Sequence, residues 1–279
     1  MSKRTVKSNN KRLANKTLDN IKKIKKVIPL ISEYYAEDSL VNEKPLVKKL
    51  AKLLKPNQWL RVEPEPREYN TKMYYEQELF PKPNGIWASK GEWHLPKDKY
   101  LTLLEVDYSR ILVLTTKDDY TAFEKKYCFP IKVSRIMEQD LSATKLNNKN
   151  RYNNMIKTLK NKTMRNNINK KVCYTNINWP KVANDYDGIA MIPNPRPYFP
   201  IDWNTVYSQY DHIWLKMYDV SSLVIWNQNI NTPITKYKSL GKIQDIHDKA
   251  KKDKKKYETT LLETVKQGIE QISFNHIKN

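Results

Sequence analysis

Apolar residues recur along this chain in two rhythms, and the switches between them mark out the expected elements. From Thr17 the spacing of Leu18, Ile21, Ile24, Val27, Ile28 and Ile31 is helical, with lysines on the opposite face and Pro29 breaking the run. A second helix is predicted over 44–54, where Pro45 falls in the first turn and its missing N–H costs nothing. Residues 1–16 are basic, polar and without period, which predicts a disordered basic arm ahead of a helical N-terminal flank over 17–56.

The rhythm then changes. WLRVE at 59–63, KYLTLLEVDY at 99–108, RILVLTT at 110–116, DGIAMI at 187–192 and SLVIWN at 222–227 are short β-rich runs bounded by turn residues. Among them KDDYTAFEKKY at 117–127 sets Tyr120, Phe123 and Tyr127 at helical spacing behind two aspartates that suit a helix N-terminus. Strands and helices interleave without a steady βαβ beat, so the predicted class is α+β, one mixed or antiparallel sheet forming a core over 57–230. An asparagine- and lysine-rich insertion is expected near 142–172. A long basic helix is expected within the C-terminal flank 231–279, because Ile243, Ile246, Ala250, Tyr257, Leu261, Val265, Ile269 and Ile272 recur near 3.6.

Charge alters the picture more than any motif does. Lys and Arg number 51 against 30 acidic residues, a formal net charge of +21. Such a surface attracts polyanions by counterion release, and nonspecific nucleic acid is the partner it suggests. The alternative is that lysine and asparagine simply solvate the chain. Cys128 and Cys173 have no C-x-x-C spacing and read as free thiols in a reducing compartment. VIPLI at 27–31 is too short for a signal sequence and no run reaches the roughly 20 apolar residues of a membrane span, so a soluble, non-secreted, intracellular protein without membrane contact is expected. His94, His212, His247 and His276 are scattered, which predicts no metal site.

P-loop, dinucleotide-binding, zincin and serine-hydrolase motifs are all lacking. Two proline-spaced stretches, RVEPEPREY at 61–69 and IPNPRPYFP at 192–200, predict stiff extended loops that either bind or merely connect. In GIWAS at 85–89, Gly85 permits a close approach, and alternation puts Trp87 and Ser89 on one face and Ile86 and Ala88 on the other. That face is either a platform for a nucleotide or sugar, or plain core with Ser89 capping a helix.

The order WLRV, GIWAS, LLEVDYSRILVL, a helix with Phe123 and Tyr127, then NWPKVANDYDGIAMI resembles the ADP-ribosyltransferase-like fold. More closely, over about 58–228, the G-[LI]-W-x-S, Y-D-G-I and D-x-x-S-x-x-I-W-N segments resemble an uncharacterised protein family of large DNA viruses. The resemblance implies NAD as the cofactor, with Arg61 on its phosphates, Ser89 on the nicotinamide ribose, and Gly85 and Trp87 beside it. It also calls for a late-strand glutamate, where this chain offers only Asp185, Asp187 and Asp219, with Asp187 the best placed to act with Arg61 and Ser89. Aspartate is a methylene shorter, so the expectation is a weak or inactive transferase-like domain with a nucleic-acid-associating surface, in host cytoplasm or nucleus or packed in a virion. The alternatives are an active NAD-dependent transferase and a structural particle protein without ligand.

Overall fold

A computed structural model of the chain describes residues 3–31, 44–79, 82–92, 95–139, 150, 153, 156–157, 169–195, 198–199, 211–218, 220–229 and 232–274. Most of the basic insertion, and Asp219, His94 and His276, lie outside these residues. The strands are β1 (Gln58–Glu63), β2 (Met73–Tyr74), β3 (Ile86–Ser89), β4 (Tyr100–Val106), β5 (Ile111–Leu114), β6 (Ile131–Lys132), β7 (Lys171–Val172), β8 (Gly188–Met191), β9 (Ser222–Ile225), β10 (Asn227–Gln228) and β11 (Ile234–Lys242). The helices used below are α1 (Lys3–Val27), α2 (Lys44–Leu53), α3 (Lys117–Tyr127), α4 (Trp179–Asp185), α5 (Ile213–Lys216), α6 (Ile243–Lys252) and α7 (Tyr257–Phe274).

Seven strands form one mixed sheet in the order β11-β4-β1-β3-β9-β8-β5, in which β5 and β8 run parallel and every other pair antiparallel. The α+β class is therefore as predicted. One face carries Trp59, Ile86, Ala88, Leu104, Ile111, Val113, Ala190 and Ile225, covered by Ile24, Val27, Ile31 and Val47 from the N-terminal helices. The opposite face is covered by two groups. Leu60, Leu101 and Leu103 meet Ile243, Leu261 and Val265 of α6 and α7. Leu114, Ile189, Met191 and Val224 meet Phe123 and Tyr127 of α3 with the buried Trp179 and Trp214.

Local chemistry explains where elements start. Thr116 caps α3 with its side chain while Asp119 reaches back, a capping box that fixes the helix at Lys117, where the acidic residues predicted it. Gly188 is required by close approach: a Cβ there would lie 2.5 Å from the Val224 carbonyl oxygen.

Several expectations need correcting. α1 is helical from Lys3, where a disordered arm was predicted, because the helix started by the apolar face from Thr17 propagates toward the N-terminus through residues that include neither Pro nor Gly. The single C-terminal helix expected from about 241 to 272 is two helices, α6 and α7, separated near Asp253–Lys256, where Lys254 adopts a left-handed φ of 51°, and the part of that flank ahead of them forms an edge strand, β11. Finally, Cys128 and Cys173 are joined in a disulfide with Cα atoms 6.0 Å apart and are not free thiols. Cys128 follows the last residue of α3 and Cys173 follows β7, and folding brings these two ends together.

Candidate functional site

The residues implied by the transferase resemblance are placed as follows. Leu60 of β1 is the cross-strand partner of Ser89 in β3, so these two share a face of the sheet, and Arg61 projects from the other. Trp87 and Ser89 do share a face, as alternation predicted. Arg61 and Ser89 therefore stand on opposite sides of the sheet, and no single cleft holds both. Asp187 is elsewhere again, immediately before β8, lining a cleft of about 970 Å³ between α1 and the strand ends. The expected catalytic set Arg61, Ser89 and Asp187 is not brought together.

Each of these residues has a structural partner. Arg61 donates from Nε to Glu63 at 3.1 Å and from Nη1 to the Trp87 carbonyl at 2.9 Å. Glu63 is buried and also accepts from the Tyr69 hydroxyl at 2.7 Å and the Thr102 hydroxyl at 2.6 Å. The proline-spaced loop at 64–69 thus folds back over β1, and Arg61 is the counter-charge of a buried carboxylate. Asp187 accepts from Arg110 at 2.7 Å and from the Asn227 amide at 2.9 Å. Ser89 is buried, accepts from the Gly91 amide at 3.2 Å and caps no helix among the described residues. Gly85 does permit a close approach, but to the neighbouring strand: a Cβ would meet the Ile225 carbonyl oxygen at 2.5 Å. Trp87 stacks on Tyr218 with ring centres 5.9 Å apart and Lys82 over both rings.

The stretch after GIWAS holds what the sequence reading missed. Lys90 is fully buried, its ammonium 4.2 Å from the Trp59 ring centre and donating to the carbonyls of Lys55 (3.3 Å), Pro56 (2.8 Å) and Gln58. Burial pulls its pKa well down, against the pull of Glu92. Glu92, equally buried, takes the amide and hydroxyl of Ser221, yet burial pushes its carboxyl up to about 8. A second cluster forms around His212, whose Nδ1 lies 2.8 Å from Glu124 and whose Nε2 lies 3.1 Å from Asp211. Burial lowers the imidazole's pKa, but the hydrogen bonds and charges of Asp211 and Glu124 outweigh it, and the ring is pushed up to about 9. Both clusters tie segments distant in sequence, so no local motif reveals them. Among the described residues no group of three or more His, Cys, Asp or Glu is arranged to hold a metal ion.

What the fold does concentrate is lysine. A groove of about 720 Å³ between α2 and α7 is lined by Lys49, Lys52, Lys256 and Lys266 over Leu53 and Leu262. Lys49 pairs with Glu258 at 2.5 Å and Lys255 with Glu263 at 3.0 Å. Lys52, Lys256 and Lys266 have no carboxylate within 4.0 Å among the described residues. Leading into the groove, KAKKDKKK at 249–256 places six lysines in eight positions on the exposed end of α6 and the link to α7. The exposed face of α1 adds Lys16, Lys22, Lys23, Lys25 and Lys26. The leucines of the groove floor hold the helices together, and the ammonium groups stand above them on flexible stems. Glu258, Thr259 and Glu263 complete the lining, so ammonium groups outnumber carboxylates there by four to two. Among the described residues no helix is long and apolar enough to cross a membrane.

No protein-family model, curated protein or solved structure matches this chain.

Proposed function

We propose that this chain associates with nucleic acid by gripping phosphates without reading sequence, and that its transferase-like features are a scaffold with no working catalytic centre. The observation that carries the reading is the lysine array of 249–256 together with the α2–α7 groove, where Lys52, Lys256 and Lys266 lack acidic partners among the described residues. The lack of catalysis is supported by Arg61 and Ser89 lying on opposite faces of the sheet. The groove lining contains no aromatic ring, so base stacking has no platform there and duplex and single strand are bound through the same backbone charges. The likeness to proteins of large DNA viruses fits the same reading, with packing beside a genome in a particle as its setting.

The test is the salt dependence of binding to a random-sequence duplex, followed by fluorescence anisotropy from low to moderate salt. Log K should fall linearly with log salt, by about 0.9 per phosphate contact. Replacing Lys251, Lys252, Lys254 and Lys256 with Glu should flatten that slope by about 3 to 4. Binding that ignores salt, or a fourfold variant with an unchanged slope, would sink the proposal.

A further inference from the structure

The two edges of the main sheet are treated differently. β11 carries Lys236, Lys238 and Lys242 and two register shifts, between Ile234 and Lys236 and between Ser239 and Gly241. Charge and irregularity of this kind keep an edge strand from pairing with strangers. β5 has neither: Ile111, Leu112, Val113 and Leu114 are all apolar and pair with β8 in unbroken register. The bonds from the Asp187 amide to the Arg110 carbonyl (2.9 Å) and from the Ile192 amide to the Leu114 carbonyl (3.0 Å) show which backbone groups turn toward β8. Successive residues of a strand turn their backbone groups to opposite sides, so the amide and carbonyl of Val113 face away from the sheet.

That outer side opens on a cleft of about 310 Å³ lined by all four residues of β5. One wall is α1, with Lys16 and Lys23, and the other is α3, with Asp119 and Lys126. We propose that the outer edge of β5 takes an extended acidic peptide segment of a partner protein as an eighth strand. The backbone of Val113 supplies the pairing groups, and the apolar side chains of β5 flank alternate residues of the guest. Three ammonium groups against one carboxylate in the lining set the sign of its charge. Lys23 is shared with Asp119 at 3.5 Å and Lys126 with Asp185 at 2.8 Å, both lysines being about half exposed, and Lys16 lies 4.8 Å from the Tyr186 ring centre. Surface pairs of this type contribute little, so exchanging them for guest carboxylates is nearly neutral in cost. A polynucleotide has no row of amides to meet Val113, which separates this edge from the lysine-lined groove.

The probe is a labelled seven-residue peptide alternating glutamate and valine, titrated with the full chain at low salt. Binding is expected, weakened tenfold or more by Val113→Pro, since proline is tolerated on the open side of an edge strand but removes the outward donor. Lys16→Glu with Lys23→Glu should weaken it as well. Two further peptides, N-methylated on the valines or on the glutamates, need no protein variant: one of the two must lose tenfold or more if strand pairing holds it, even where Val113→Pro fails to fold. No binding of the parent peptide, or equal binding of both methylated forms, overturns the proposal.

Discussion

Breaking the Cys128–Cys173 disulfide should cost the fold a large share of its stability. The bridge joins residues separated by 45 positions, and without it the unfolded chain recovers the freedom of that whole loop. For a loop of this length the chain-entropy relation gives about 13 cal/mol/K, or about 4 kcal/mol at 25 °C. A domain is commonly stable by only about 5–15 kcal/mol, so the loss is of the same order as the total. The perturbation is the double variant Cys128→Ser with Cys173→Ser, compared with the oxidised chain in urea. The midpoint should fall, and extrapolation to water should return a difference of about 4 kcal/mol. A difference below about 1 kcal/mol would refute the reasoning, because loop entropy would then not govern the stability of this crossover.

Other outcomes follow from the buried charges. Since the His212 pKa is raised from 6.5 to about 9, its contribution is fully present below pH 6.5 and is lost as pH rises through 9, a total of roughly 3 kcal/mol. Urea midpoints at pH 6.5 and 9.5 should therefore differ, and His212→Asn should shrink that difference to the part set by Glu92, whose carboxyl is pushed up to about 8 and so loses stability over the same window. Arg61→Ala leaves Glu63 buried without its counter-charge and should cost about 3–5 kcal/mol in thermal or urea unfolding, while Glu63→Gln added to it should recover part of the loss. Were Arg61→Ala neutral for stability and damaging for NAD binding, the structural assignment of Arg61 would be wrong.

Much of the architecture was legible in the sequence because its signals are local. The apolar runs at 59–63, 99–108, 110–116, 187–192 and 222–227 fall on β1, β4, β5, β8 and β9, and the acidic start of 117–127 marks α3. β11 escaped notice because TKYKSLGK is polar and lysine-bearing, which is how an edge strand resists aggregation and also how it hides its alternation. The site expectation failed for a related reason. Alternation within β3 correctly paired Trp87 with Ser89, but whether Arg61 joins them depends on the register between β1 and β3, which only the folded sheet fixes. Lys90 and Glu92 sit in a stretch that reads as a polar turn, and only Trp59, the 55–58 carbonyls and Ser221, all distant in sequence, make that pair a buried one.

The lone parallel pair has a kinetic side. β5 cannot meet β8 until the intervening 115–187 crossover closes, a loop of about 70 residues. With Cys128 and Cys173 already joined, the path around that loop shortens to about 30 residues, and the closure entropy falls by nearly 1 kcal/mol. Oxidation before the sheet zips up would thus speed assembly severalfold, making the order of the two events, and not the final contacts alone, a determinant of how quickly this chain reaches its native sheet.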